Sequence, residues 1–324
     1  MKAVQIDKQW DGRKLVRFLQ KTMPSAGMGQ IRKFLRLGRI KVDGKKGNEE
    51  TQLTAGQTVE MYVEDSFFEA VPREDPFYSK IRPKLTILYE DAHIMLLDKR
   101  AGLICHPDDG EKVHTLLTYA QAYLYQKGEW NPQSGFAPAL CNRIDRFTAG
   151  VVILAKTQEA LSAMDEKIRT HEVQKYYLCI VHGRMKHPDG TLRHYLMKKP
   201  EQKKLTVLKK NEPGSKEAIT YFQAIDENNG LTLCECLLGT GRTHQIRAQF
   251  AAIGHPLLGD NQYGNAKQNE KYGRVNGQAL CAYRLIFDFE GDAGCLSGLN
   301  GLTVQVRDVP FVREYFPDVV IPTP

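Results

Sequence analysis

The net positive charge of this 324-residue chain lies entirely within its first fifth. Residues 1–62 carry 13 Lys and Arg against 6 Asp and Glu, whereas the remaining 262 residues carry 32 charges of each sign. A segment with so many uncompensated cations is typical of a module that contacts a polyanion. The charge distribution therefore predicts a small basic module followed by a larger part of balanced charge.

Two short amphipathic helices and a β-hairpin are predicted in the basic module. Residues 13–21 place apolar side chains on one helical face, and Ile31, Phe34 and Leu35 do the same in a second helix. The following stretch, RIKVDGKK, alternates apolar and basic residues and ends at a hairpin-prone Asp-Gly pair. Its basic side chains either contact phosphates or form a solvated helix face. The candidate phosphate-contacting residues are Arg32, Lys33, Arg36, Arg39 and Lys41.

Two segments of this module, GRIKVDG (38–44) and LTAGQTV (53–59), resemble the RNA-binding domain named after ribosomal protein S-four. The resemblance implies that the five basic residues bind RNA, without indicating which RNA. A stretch of Pro, charged and aromatic residues without a period follows and favours a linker. The expected bounds are 1–63 for a small α/β RNA-binding domain, 64–84 for the linker and 85–324 for the larger domain.

The larger part mixes apolar strands with polar helices but lacks the regular βαβ period of a parallel sheet. Runs such as KYYLCIVHG and LTLCECLLG indicate strands, and EALSAMDEKIRTHEV favours a helix. This pattern predicts an α+β fold. The chain has no apolar run of the roughly 18–20 residues that span a bilayer, no apolar signal segment at its start, and seven scattered cysteines. We expect a cytoplasmic protein without membrane association.

Asp145 is the first candidate functional residue. It lies between Arg143 and Arg146, just before the apolar run VVILA. Nearby guanidinium groups would keep such a carboxylate ionised, and the end of a buried strand would hold it in place. It could act as a nucleophile, as an electrostatic stabiliser, or only as a cap or ion-pair partner.

A second cluster, GTGRTHQIRAQF, concentrates polar and basic residues at the start of a predicted helix. Helix N-termini attract anions such as phosphate or a carboxylate, and Thr243 is the predicted N-cap. The stretch lacks the full GxGxxG fingerprint, and the chain has no GxxxxGK[ST] loop, so we expect no nucleotide cofactor. The candidate residues here are Arg242, His244, Gln245 and Arg247.

With these residues the larger part resembles the RluA-type family of pseudouridine synthases, from about residue 85 onwards. NRIDRFTAGVVILAKT resembles the family's H-R-L-D-x-x-T-S-G motif, KYYLCIVHG its K-x-Y-x-A-x-V-x-G motif, and GTGRTHQIRAQF together with GHPLLGDNQYG its T-G-R-T-H-Q-I-R and G-H-P-x-x-G-D-x-x-Y-G motifs. The resemblance implies a mixed, largely antiparallel catalytic sheet. It also implies isomerisation of uridine to pseudouridine in RNA, by base flipping and without a cofactor or metal.

The family's motifs also imply roles for individual residues. Asp145 would be the catalytic carboxylate, and Arg247 would pair with it. Tyr177 would lie against the target base, or would only be a core aromatic of its strand. Arg143 would fill the space left by the flipped uridine, or would only pair with Asp145. His244 and Gln245 would contact the substrate or order the helix N-terminus, and Arg242 would contact RNA.

The sequence departs from the family pattern at a few positions, of which Asn142 in place of His matters most, because an amide cannot carry a proton. We expect a monomer acting on RNA, with large-subunit ribosomal RNA favoured and transfer RNA open. Two alternatives remain: a catalytically inactive ribosome assembly factor, and a metal-dependent nucleic-acid hydrolase. The residues that a hydrolase could use lack metal-ligand spacing: His106, Asp108, Asp109, His182 and His187.

Overall fold

The protein forms two compact units, Met1–Glu74 and Asp75–Pro324. Its computed structural model describes residues 1–68, 76–198, 204–273 and 277–321. Part of the predicted linker lies outside the described residues, and its last part begins with a short helix, α3 (Pro76–Lys80). The bounds 1–63, 64–84 and 85–324 stay a prediction.

The first unit packs two helices against a four-stranded antiparallel sheet. The strand order is β1-β4-β2-β3, and the core contains Leu15, Phe18 and Ile31. The two predicted helices form because their apolar residues recur every three to four positions and reach the same core. The element bounds are β1 Lys2–Gln5, α1 Leu15–Thr22, α2 Met28–Arg36, β2 Ile40–Val42, β3 Lys45–Lys46 and β4 Thr58–Met61.

The second unit is built on one mixed sheet of eleven strands. The strand bounds are β5 Ile87–Glu90, β6 Ile94–Lys99, β7 Ala139–Leu140, β8 Ala149–Ala155, β9 Val173–His182, β10 Asp189–Lys198, β11 Leu205–Leu208, β12 Lys216–Asn228, β13 Leu231–Leu238, β14 Leu280–Phe287 and β15 Thr303–Gln305. The main order is β11-β10-β12-β13-β9-β14-β8-β6-β5, with β15 beside β14 and β7 beside β8. Among the described strands only β14 and β8 pair in parallel, so the predicted mixed, largely antiparallel sheet is confirmed.

Two cores cover this sheet. One core contains residues of α4 (Leu116–Gln126) and α6 (Gln245–Ala252). The other contains residues of α5 (Gln158–Arg169) and the C-terminal helix α8 (Pro310–Tyr315), and a short helix α7 (Ala266–Glu270) follows α6. The core of α4 and α6 also contains Tyr177 and Ile144, so the motif residues gather there.

A glycine lets the two parallel strands approach each other closely. Gly150 pairs with Ala282 of β14 and has a φ of +113°. A Cβ at this position would lie 2.1 Å from the Ala282 carbonyl oxygen. Because only glycine fits this contact and this backbone conformation, it fixes where β8 begins and hence where the preceding loop lies.

Candidate active site

Asp145 lies in the loop that joins β7 to β8. The Thr148 backbone N–H donates to the Asp145 carbonyl oxygen at 3.1 Å, which closes a tight turn. The buried Thr148 hydroxyl in turn accepts a hydrogen bond from Gln278 at 3.1 Å. The turn therefore holds Asp145 at the entrance to a buried strand, and its side chain remains 25% exposed.

The two flanking arginines do not supply the predicted guanidinium environment. Arg146 donates to the Gly102 carbonyl at 3.2 Å, and Arg143 is exposed. Within the described residues neither forms an ion pair with Asp145. The prediction that both neighbours pair with the carboxylate was wrong, because Arg146 binds the Gly102 carbonyl instead and the Arg143 side chain is exposed.

The partner of Asp145 is Arg247, which is 102 positions further along the chain and lies on α6. Its Nη1 donates to Asp145 Oδ2 at 2.8 Å. On its other side, Nε and Nη2 form a two-pronged contact with Asp260 at 2.6 and 3.1 Å. Arg247 and Asp260 are both buried, so a guanidinium lies between two carboxylates with little water around it.

Both buried members of this cluster stay charged. Burial disfavours ionisation of Asp260, but Arg247 and the backbone N–H groups of Tyr263 and Gln262 outweigh it and hold the pKa of the carboxyl below its usual value. Burial likewise disfavours the charged guanidinium, but the carboxylates of Asp260 and Asp145 outweigh burial and raise the pKa of Arg247 above its usual value. Arg247 therefore remains a fixed cation beside Asp145.

The arginine approaches only one of the two carboxylate oxygens of Asp145. Asp145 Oδ2 accepts from Arg247 and lies 3.7 Å from His244 Nε2. Within the described part of the chain, Asp145 Oδ1 has no hydrogen-bond partner. Arg247 therefore binds one oxygen of the carboxylate, and the other oxygen accepts no hydrogen bond from the described residues.

His244, immediately before α6, lies beside this pair. The residue has a left-handed backbone, with φ 51°, and its Nδ1 is 3.0 Å from the Tyr263 hydroxyl. Burial lowers the pKa of the imidazole, although Asp145 opposes this change. His244 occupies the N-cap position without a side-chain cap bond, so the prediction of Thr243 as N-cap was wrong.

Gln245 and Arg242 differ in how they use their side chains. Gln245 is buried; its Oε1 accepts from Thr240 and from the Arg242 backbone, and its Nε2 donates to the Ile219 carbonyl and the Thr220 hydroxyl. These bonds favour the alternative that Gln245 orders the helix start. The Arg242 side chain is exposed and donates to the Glu217 carbonyl at 3.0 Å.

Tyr177 lies on β9 opposite Cys236 of β13 and is 8% exposed. Its burial, and then the charge of Asp145, raise its pKa, so the phenol is neutral. Among the residues described, no group hydrogen-bonds its hydroxyl. Tyr177 therefore offers a neutral, unengaged hydroxyl near the carboxylate.

Two polar side chains that support the Asp145 loop were not assigned from the sequence. The ammonium group of Lys99 is fully buried and donates to the carbonyls of Leu103, Arg146 and Arg100 at 2.7 to 3.2 Å. Burial lowers the pKa of Lys99 to about 8. Asn142 accepts from the Ile153 backbone N–H at 2.8 Å, so the residue that replaces the family's His ties the loop to β8.

Asp260 and Tyr263 were also missed, although both lie in the quoted stretch GHPLLGDNQYG. Tyr263 lies 5.2 Å from the Arg247 guanidinium, measured to the ring centroid, and donates its backbone N–H to Asp260. A Gly-Asp-x-x-Tyr-Gly spacing directly after the helix was the available signal. The role of this motif becomes apparent only in the folded protein, where Arg247 of α6 binds Asp260 of the loop that follows.

In the first unit, the five predicted phosphate-contacting residues lie on α2, on the turn after it, and on β2. Arg32 forms a salt bridge with Glu49 at 3.1 Å, and Lys41 lies 5.3 Å from the ring centroid of Tyr62. The other three side chains are exposed and form no ion pair within the described residues: Lys33, Arg36 and Arg39. These three charges are available to a polyanion.

Over residues 1–68, 76–198, 204–273 and 277–321, no group of three or more His, Cys, Asp or Glu residues could hold a metal ion. No helix within the same ranges is long and apolar enough to cross a bilayer.

Comparisons with known proteins agree with the motif resemblance. A model of the RNA pseudouridylate synthase family matches residues 93–252. The chain is 30% identical over 274 residues to the RNA pseudouridine synthase YlyB of Bacillus subtilis, covering 84% of both chains. It is 29% identical to ribosomal large subunit pseudouridine synthase D of Xanthomonas campestris, over 79% of this chain and 72% of that protein.

A solved structure shares the fold. The human RNA pseudouridylate synthase domain containing 1 superposes with a TM-score of 0.55 at 19% identity, over 72% of this chain and 86% of that chain. The predicted α+β fold class and the predicted family are thus confirmed. The chain belongs to the RluA-type family of RNA pseudouridine synthases, which are isomerases.

Proposed function

We propose that this protein isomerises specific uridines in large-subunit ribosomal RNA, with Asp145 as the catalytic carboxylate acting on a flipped-out nucleotide. The observation that carries the proposal is the carboxylate of Asp145, which is partly exposed and held through one oxygen by a buried arginine. The RNA target is favoured because a relative that covers most of this chain is named for the large ribosomal subunit.

The reaction moves one bond and leaves the atomic composition unchanged. The N1–C1′ bond of uridine breaks, C5 of the base bonds to C1′, the C5 proton leaves, and N1 gains a proton. An anionic carboxylate can attack the electron-poor C1′ or assist loss of the 2′ hydrogen. Both routes need a carboxylate that is ionised and aimed, which the Arg247 contact at 2.8 Å supports.

The roles that we propose for the other active-site residues follow from their positions around Asp145. Arg247 acts through Asp145, because it is buried and bonded on both sides. The neutral phenol of Tyr177 contacts the base, and its raised pKa argues against a standing tyrosinate. Arg143 is exposed and forms no ion pair with the described residues, so it can enter the stack when the uridine leaves it, a step that costs a few kcal/mol.

RNA binding is assigned to two surfaces. On the catalytic unit, the exposed Arg242 lies three residues before α6 and two before His244. On the first unit, α2 and the turn after it supply the exposed basic residues Lys33, Arg36 and Arg39, and we propose that this unit is an RNA-binding domain of the ribosomal-protein-S-four type. Phosphate contacts of this kind add affinity without sequence specificity. We propose that the protein acts in the cytoplasm as a monomer.

The test compares the wild-type protein with Asp145→Asn on total RNA and on ribosomal subunits that lack the modification. Asparagine keeps the shape of the side chain and removes its charge. We expect pseudouridine at defined large-subunit positions with the wild type and none with the variant, and equal RNA binding by both. Pseudouridine found only in transfer RNA would show that the substrate is transfer RNA and not ribosomal RNA. Equal product from both proteins would remove Asp145 from the mechanism, and RNA binding without product would favour an assembly factor.

A further inference from the structure

His244 has a strained backbone and an unusual position beside Asp145. A φ of 51° is uncommon for a residue with a side chain, and such strain persists where the surroundings impose it, often at functional sites. The residue makes no side-chain cap for α6, so helix capping does not explain the conformation. Its two ring nitrogens face Tyr263 and Asp145.

The hydrogen bonds around Tyr263 determine which nitrogen of His244 carries the proton. The Tyr263 hydroxyl accepts from the Leu205 backbone N–H at 3.0 Å. Within the described residues, the only acceptor for its own proton is His244 Nδ1, at 3.0 Å. In a neutral imidazole, an accepting Nδ1 places the proton on Nε2. The Nε2–H group is therefore the one that faces Asp145 Oδ2.

The imidazole is neutral in the free protein. Burial lowers its pKa, and this outweighs the opposing effect of the Asp145 charge. The charged and titratable groups that face it come from the β7–β8 loop, from α6 and from the loop after α6: Arg143, Asp145, Arg247, Asp260 and Tyr263. A neutral donor can orient the carboxylate without cancelling its charge.

We propose that His244 is a positioning residue, which donates its Nε2–H to Asp145 Oδ2 when RNA is bound and leaves Oδ1 as the reacting oxygen. The present 3.7 Å is longer than a hydrogen bond, and catalytic contacts of this kind often shorten in the substrate complex. With Arg247, it would give Oδ2 two donors that lie three positions apart in the chain. The inference rests on the proposed role of Asp145.

Two substitutions separate this role from a structural one. His244→Gln places an amide N–H where Nε2–H lies, whereas His244→Asn reaches only the Nδ1 position and tolerates the left-handed backbone well. Single-turnover pseudouridine formation and RNA affinity are measured for both, with thermal melting as a check of folding. Tyr263→Phe keeps the ring on Arg247 and removes the hydroxyl that orients the imidazole.

We expect His244→Asn to lower the single-turnover rate by about 10- to 100-fold with RNA affinity unchanged, and His244→Gln to recover most of that loss. In the wild type the rate should fall at acidic pH as the imidazole gains a proton and pairs with Asp145, and His244→Gln should lack that fall. Tyr263→Phe should show an intermediate rate.

Wild-type rates in His244→Asn, or equal losses and an unchanged pH profile in both His244 variants, would overturn the inference. Asp145→Asn is run in parallel, because activity in that variant would contradict the proposed function and not the role of His244 alone.

Discussion

Asp260→Asn tests whether the buried arginine needs both of its carboxylates. The substitution keeps the shape of Asp260 but removes the charge that accepts two bonds from Arg247, at 2.6 and 3.1 Å. Bonds to charged groups contribute about 1.5–3 kcal/mol each, and breaking a buried ion pair costs about 3–5 kcal/mol. Because Asp145 still neutralises part of the charge of Arg247, we expect the lower end, a loss of about 3 kcal/mol in the free energy of unfolding.

Urea unfolding at pH 7 measures this loss, and single-turnover kinetics measure the effect on Asp145. A guanidinium released from Asp260 no longer fixes Asp145 Oδ2, so the rate should fall by at least about tenfold. Glu227→Gln is a matched control, because its salt bridge with Arg184 is exposed and should contribute at most about 1 kcal/mol. Unfolding of Asp260→Asn within 1 kcal/mol of the wild type would refute the reasoning.

The difference in unfolding free energy between the wild type and Asp260→Asn should also depend on pH. The pKa of Asp260 is lower in the folded protein than in the unfolded chain, so its contribution is complete above the unfolded value of about 4. It is lost as the pH falls from there through the folded pKa. The stability difference between the wild type and Asp260→Asn should therefore shrink below about pH 4.

Three further predictions concern other parts of the chain. Gly150→Ala should destabilise the fold by several kcal/mol in urea unfolding, because its Cβ would meet the Ala282 carbonyl at 2.1 Å; a cost below about 1 kcal/mol would show that β8 can shift. Lys99→Met should remove a pH dependence of stability. Because the pKa of Lys99 in the folded protein is about 8, the unfolding free energy of the wild type minus that of the variant should increase from about pH 8 to pH 10. A constant difference would contradict the argument that burial lowers this pKa. Arg36→Gln combined with Arg39→Gln should weaken RNA binding and reduce the slope of affinity against salt by about two; an unchanged slope would place the RNA elsewhere.

Local patterns predicted the helices α1, α2 and α5 but gave no prediction for α4 or for the strands β10 and β14. The helices α1 and α2 place apolar residues at three- to four-residue spacing, and α5 has a polar, helix-prone sequence, which is why these three were indicated. In α4, buried side chains include Leu116, Thr118 and Leu124, which lie on different sides of the helix. A helix that is buried on most sides shows no periodic contrast, so its sequence did not distinguish it from other apolar segments.

The sequence by itself determined the charge division of the chain, the α+β class and the residues that carry the family motifs, because these depend on composition and on short spacings. The family motifs implied that Arg247 pairs with Asp145, but only the tertiary structure decided which other groups lie around that pair. The sequence neighbours Arg143 and Arg146 form no ion pair with Asp145 among the described residues, whereas Arg247, on a helix 102 positions later, binds both Asp145 and Asp260. Contacts of this kind depend on how strands far apart in the chain are ordered in the sheet, and a local pattern contains no information on that order.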